Sequence, residues 1–241
     1  MKKVKYIFSL LMLSFSNAAF SQLNIDEKCA TTSGCFVGDS VGYPVTITQP
    51  GSYQLTTNLT SSDPNTAYIE ILSDNVTIDF KGHSIIGPVT CSGNTPACSF
   101  TGNGLADGIK SDLRNNIVLK NGTVKGVGGS GIELFEGHNH HLINMTVDQN
   151  TFRGAIVGQA GLTLDSIISN NGTAGIIASN GDPNSNTLLL NNSIINNAEF
   201  GISSGVCGGN VATSNNDATP VNDEIICDGF ISPNTCDGNF C

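Results

Sequence analysis

Three of the four histidines fall in one short run, Gly137-His138-Asn139-His140-His141. Side chains two apart on an extended segment point the same way, so His138 and His140 project to one side. Two imidazoles on one side begin a zinc-type site, but such a site takes three or four protein ligands and no third is identifiable. The run reads better as an exposed polar loop on the variable side, with sugar contact ahead of metal as the functional alternative. Phe135 lies beside it, and Phe152 and Arg153 follow shortly after. A ligand site, if one is present, centres on Phe135, His138, His140 and Arg153. No catalytic residue and no metal site can be named.

The other chemistries need more than the chain offers. Eliminative cleavage of a uronate needs a Lys or Arg base and a cation, often calcium, to neutralise the sugar carboxylate. Hydrolysis needs two carboxylates on one face at a set separation. The acids here are spread along the chain, with no Asp-rich loop. Calcium is therefore permitted but no ligand set supports it, and no cofactor is called for. Sugar-binding grooves offer flat aromatic platforms, yet there is no Trp, and Tyr43, Tyr53 and Tyr68 lie early in the chain.

The elements that must position these residues are written in a repeat between Lys120 and Asn216. Asn121, Asn144, Asp165 and Asn191 are each followed ten residues later by Gly131, Gly154, Gly175 and Gly201. The steps are 23, 21 and 26 residues. After each glycine comes Ile132, Ala155, Ile176 or Ile202. Short β-branched runs broken by Gly and Asn, with no helical spacing, indicate a parallel β-helix, one coil per repeat. Equivalent residues then stack about 4.8 Å apart, so Asn121/Asn144/Asp165/Asn191 and Asn150/Asn171/Asn197 are expected as ladders. The stretch from Asn or Asp to Gly is constant, whereas that from Gly108, Gly131, Gly154 and Gly175 to the next Asn or Asp of the series runs 13, 13, 11 and 16 residues. Function is expected on the side that varies.

The alignment also assigns faces. Ile109, Ile132, Ala155, Ile176 and Ile202 point inward, and Lys110, Glu133, Ile156, Ile177 and Ser203 point outward. Glu70, Lys110 and Glu133 form an acid–base–acid stack, with Lys120 beside Asp79 and Lys125 beside Asp148. Such surface pairs are worth about 0–1 kcal/mol each. With Lys28 in the N-terminal region, Lys81, Arg114 and Arg153 are left unpaired, and Arg153 has only Ser130 and Ala174 as stack neighbours.

The runs GSYQLTTNLT (51–60), NVTIDFKGHSIIGP (75–88), the Cys91–Cys98 insertion, GIKSDLRNNIVLKNGTVKG (108–126), the Gly-Ile coils and the closing NTCDGNFC together resemble a family of secreted bacterial right-handed parallel β-helix proteins. The resemblance covers nearly the whole chain after residue 21. It implies a right-handed helix with a pectate-lyase-like fold, and it transfers fold better than function. Polysaccharide-active relatives of that fold carry motifs absent here. Asn-Thr-Asp, Asp-Asp, Gly-His-Gly and Arg-Ile-Lys of polygalacturonases are missing, as is Asp-Pro-His-Glu of alginate epimerases. Gly82-His83, Gly137-His138 and Asp182-Pro183 are fragments only.

In chain order, residues 1–21 read as a secretory signal, with a basic start, an apolar core and cleavage before Gln22. Residues 22–241 form a single β-helix domain. It comprises an N-terminal cap (22–66), about six coils (67–216, with a loop insertion at 87–107) and a C-terminal cap (217–241). Without the three lysines of the signal, seven cations face twenty acids, a net −13, and no Lys or Arg follows Arg153. That polarity disfavours nucleic acid and anionic lipid, and no segment is apolar enough to span a membrane. Eight cysteines in an exported chain read as disulfides. Their clustering suggests Cys29–Cys35, Cys91–Cys98, Cys207–Cys227 and Cys236–Cys241, one of about 105 connectivities. The expected protein is a periplasmic or extracellular, non-catalytic binding or surface solenoid, with polysaccharide as candidate partner. A divergent polysaccharide lyase or epimerase acting on uronate-containing chains is the alternative. Ice binding lacks a regular Thr-x-Thr array.

Overall fold

The computed structural model describes residues 22–99, 106–178, 186–215, 225–236 and 239–240. The expected signal, 1–21, lies outside the described residues. The chain is a parallel β-solenoid with three faces and about seven turns. The first face is an eight-stranded ladder: Val45–Ile47, Ile69–Ile71, Ile109–Asp112, Ile132–His138, Ala155–Gln159, Ile176–Ile177, Ile202–Ser203 and Ile225–Ile226. Its register sets Ile109, Ile132, Ala155, Ile176 and Ile202 in one column, as the Gly-Ile spacing requires. All five side chains are fully buried. Each isoleucine so buried contributes about 1.5–3 kcal/mol.

The second and third faces belong to one branched sheet, because Ile117–Lys125 and His141–Asp148 run round the corner between them. Later coils break that corner, as in Leu162–Leu164 followed by Ile167–Ser169, and Leu188–Leu190 followed by Ser193–Ile195. The ladder extends into both segments expected as caps: Val45–Ile47 pairs with Ile69–Ile71, and Ile225–Ile226 with Ile202–Ser203. Coils therefore exceed the six expected, because the end coils lack the Asn–Gly spacing that marks the middle ones.

The corners explain the asparagines. Asn121, Asn144, Asp165 and Asn191 all adopt left-handed backbone, with φ of 60°, 52°, 50° and 55°. Asn and Asp tolerate that conformation better than other L-residues because their short polar side chains bond locally. Only the first part of this column is an amide ladder: Asn144 donates to Asn121 at 3.1 Å, and Asn121 to Asp79 at 3.2 Å. The second expected ladder is complete and longer. Asn150, Asn171, Asn197 and Asn215 stack through amide bonds of 2.8–3.0 Å, and each side-chain oxygen also accepts a backbone N–H of the preceding coil. In a third inner column, Ser166, Asn192, Asn210 and Asn234, each side-chain oxygen accepts a backbone N–H of the preceding coil, and the three asparagines are joined by amide bonds of 3.0 Å, at the corner between the second and third faces.

The N-terminal end is closed by carboxylates. Helix Glu27–Thr32 lies over the first coil with Ala30 buried. Glu27 accepts the Thr60 N–H at 2.9 Å, and Asp39 accepts the Thr46 and Cys35 N–H groups at 2.8 Å. Strand Leu23–Ile25 pairs in parallel with Gly51–Leu55 and is the first strand of the second-face ladder. At the other end, Asn239–Phe240 folds back antiparallel on Thr235–Cys236. Disulfides Cys29–Cys35, Cys91–Cys98 and Cys207–Cys227 are present. Cys236 is also oxidised, while Cys241 lies outside the described residues. The 87–107 insertion includes a two-stranded hairpin, Thr90–Ser92 with Ala97–Ser99, and Cys91 opposite Cys98. It is folded down on the coils: both sulfurs lie 3.6–3.7 Å from the Asn150 carbonyl, and Asn196 donates to Gly93 O at 3.1 Å.

Candidate functional site

The four residues nominated from sequence are not brought together. His138 ends the first-face strand and is exposed, whereas Arg153 sits at the corner that begins the next coil. Arg153 aligns with Ser130, so the first-face strand Ile132–His138 lies between its position on the coil and that of His138. Phe135 is half-buried on the first face opposite Asp112. His140 is 1% exposed, not part of an open loop. Asn139 between the two histidines has φ 58°, which breaks the alternation and turns His140 inward while His138 stays out. Among the described residues, no three of His, Cys, Asp and Glu gather as metal ligands.

His140 instead serves the corner. It occupies the inner position above Ile117, and its Nδ1 accepts the Ile117 N–H at 3.4 Å. Thr187 and Asp228 do the same for Gly161 and Gly205 in later coils. The His140 Nε2 is buried without a partner and faces Gly137, where an added Cβ would lie 2.3 Å away. Burial first, then the neighbouring His138 and His141, hold its pKa down at about 4.

The ion pairs among the described residues lie in the N-terminal half. On the first face Lys110 pairs with Glu70 at 3.0 Å and stands beside Glu133 in register. Just before this strand, Asp107 accepts the Ser130 N–H at 2.8 Å. Burial, then the Glu133 charge, push the Asp107 carboxyl up to about 7, against the pull of the Ser130 N–H and Lys110. On the second face Asp79 binds Lys120 at 3.7 Å and also Lys81 at 3.2 Å, so Lys81 is not the spare cation that the stacking pattern suggests. Lys125 and Asp148 are in register, but the Asp148 carboxylate is taken by Ser169 and Asn170, both at 2.8 Å.

Further along the second face the charges stop. Two outward columns run up it, continuing Thr77 and Asp79 through Val118 and Lys120 to His141 and Ile143. Above these come Leu162 and Leu164, then Leu188 and Leu190, then Val206 and Gly208. The leucines, Ile143 and Val206 all keep part of their surface in solvent. Left-handed corner residues flank them on both sides: Asn139, Ala160 and Asn186 on one, Asn144, Asp165 and Asn191 on the other, all exposed. The result is a flat apolar strip with amide rims, built on the half of the coil whose length varies. The Leu-x-Leu pairs at 162–164 and 188–190 are the signal that sequence reasoning passed over. A separate small apolar hollow lies between Leu23, Phe36, Val37 and Tyr53 at the N-terminal end.

No family model, no curated protein and no solved structure matches the chain.

Proposed function

We propose that this chain is an exported, non-catalytic β-helix that presents a rigid binding surface, with glycans as the partner class. The observation that carries the reading is the strip on the second face. Outward apolar side chains recur there in register over four coils, where a solvated sheet face is expected to be polar. Export is supported by the signal-like start, by the oxidised cysteines and by the resemblance to secreted bacterial right-handed β-helix proteins of pectate-lyase-like fold. The test is a screen of purified residues 22–241 against neutral and uronate polysaccharides, with calcium and with chelator, recording both binding and release of unsaturated or reducing ends. Binding without product supports the reading. Sustained product release from a contaminant-free preparation overturns it.

One observation favours the alternative of a divergent lyase or epimerase. Burial pushes the Asp107 carboxyl up to about 7 beside the Lys110–Glu70 pair and Glu133, and such a carboxyl is suited to exchange protons with a sugar near neutral pH. In that reading Asp107→Asn abolishes product release while leaving the fold intact.

A further inference from the structure

We infer that the second-face strip, Ile143, Leu162, Leu164, Leu188, Leu190 and Val206, binds the flat face of an uncharged polysaccharide packed in a fibre or crystal. This rests on the glycan-binding reading above and names the site and the ligand class.

The shape of the strip sets the first limit. Parallel ladder geometry fixes its rows about 4.8 Å apart, with paired side chains about 6.6 Å apart along each strand. The side chains are only partly exposed and lie flush with their neighbours. They cannot reach the roughly 5–10 Å depth at which an interfacial apolar face enters a bilayer, so a lipid surface is a poor match. Three-residue strands over four coils span roughly 10 by 20 Å, far below the ~800 Å² per partner of a stable protein–protein interface.

Charge sets the second limit. The chain carries a large excess of acids, and no Lys or Arg follows Arg153. The outward columns from Ile143 to Gly208 carry no charged residue, and Asp165 is the one acid on the flanking corners named above. A uronate polymer would therefore meet repulsion, and the one cation adjoining the strip, Lys120 beside Ile143, is already paired with Asp79. An uncharged ligand meets none.

The rims supply the positive argument. Asn186 on one side and Asn191 on the other offer amide donors and acceptors along an apolar floor, joined by the remaining hydrogen-bonding capacity of Asn139 and Asn144, whose amides already donate to Asn116 and Asn121. An extended sugar ribbon has the complementary form, with C–H groups on its faces and hydroxyls on its edges. Apolar floors with a few placed polar groups are the usual composition of ligand sites. A dissolved chain must lose its flexibility to lie flat, whereas an ordered one already has, so the rigid strip favours the packed form.

The experiment is depletion of residues 22–241 from solution by insoluble β-1,4-glucan and by chitin, with calcium alginate gel as the acidic comparison. Leu164→Lys/Leu190→Lys is compared with the charge-matched Thr146→Lys/Ser193→Lys pair on the third face, and circular dichroism confirms the fold of both. The inference expects depletion by at least one neutral solid and not by alginate. It expects at least a tenfold loss of depletion for L164K/L190K and little change for T146K/S193K. Equal depletion of L164K/L190K and wild type overturns the site, and preference for alginate overturns the ligand class. Failure to bind any neutral solid overturns the inference, and a concentration-dependent dimer lost in L164K/L190K would assign the strip to a second copy instead. Product release in the screen above would sink the non-catalytic reading and leave this comparison standing.

Discussion

Acidification should expose the neutral state of His140, provided Asp107 is first silenced. His140 must remain neutral to accept the Ile117 N–H, because an imidazolium has only donors. Its pKa is about 4 in the folded chain against an ordinary 6.5. The folded state therefore resists a proton that the unfolded state takes up. Stability is full above pH 6.5, falls as pH drops towards 4, and is then constant. At about 1.4 kcal/mol per pKa unit, the loss is about 3 kcal/mol. Asp107 has the opposite sign. Its pKa of about 7 lies above the ordinary 3.8, so folding is penalised above pH 7 and the penalty is relieved between pH 7 and 3.8, by about 4 kcal/mol at most. In the wild type the two trends offset each other, and stability should change little from pH 6.5 to 4. Asp107→Asn keeps an oxygen for the Ser130 N–H and removes the titration. Urea unfolding of D107N, followed at pH 7.5, 5.5 and 4.2, should then show the full His140 loss. D107N/His140→Asn should be flatter, at lower stability. A D107N stability that stays level over this range would refute the account of His140 as a neutral corner acceptor.

Other perturbations separate inner from outer roles. Asn171→Ala removes bonds to Asn150, Asn197 and the Val147 carbonyl and leaves buried backbone groups unpaired, so it should cost about 3 kcal/mol in denaturant unfolding. Asn144→Gly, at an exposed left-handed corner, should change stability by less than about 1 kcal/mol. Gly172→Ala would place a Cβ 2.1 Å from the Thr151 carbonyl and 2.9 Å from the Cys98 sulfur. It should lift the hairpin, measured as faster reduction of Cys91–Cys98 by a thiol while Cys207–Cys227 is unchanged. Asp39→Ala frees the Thr46 and Cys35 N–H groups at the first strand edge, and should lower stability by about 2 kcal/mol and raise light scattering at high protein concentration.

What could be read beforehand, and what could not, follows from coil length. The column from Ile109 to Ile202 and the Asn150–Asn171–Asn197 ladder lie in or beside the constant ten-residue stretch, so a plain alignment finds both their register and their inward direction. The Ser166–Asn192–Asn210–Asn234 column was missed because its last two steps, 18 and 24 residues, fit no common period. On an extended segment His138 and His140 share one side, and a single left-handed residue, Asn139, reverses the direction of His140. The ligand site drawn around it had no other anchor, since loop position alone says nothing about which corner of a coil a side chain occupies. The leucine strip lies in the variable stretch, where Leu162 and Leu188 are 26 residues apart but Leu188 and Val206 only 18.

The ends and the face of the solenoid hold their surfaces back from association in different ways. Backbone pairing at the first coil is blocked by Asp39 and Glu27, which turn open N–H groups into ion-capped ones and place negative charge where another strand would dock. The second face has no such guard. Its early rows carry Asp79, Lys81 and Lys120 locked together, and its later rows carry only apolar or small side chains. If stability were the sole demand, those outward positions would be polar, because the inner columns of isoleucine and asparagine already fix each coil's register. Edges are defended, while the later coils leave outward apolar side chains on the second face between its rims and, at Ile167, Ile195 and Val211, on the third. The chain thus prevents contact through the backbone and permits contact through side chains, which is the division of labour expected of a surface that binds a rigid, repeating partner.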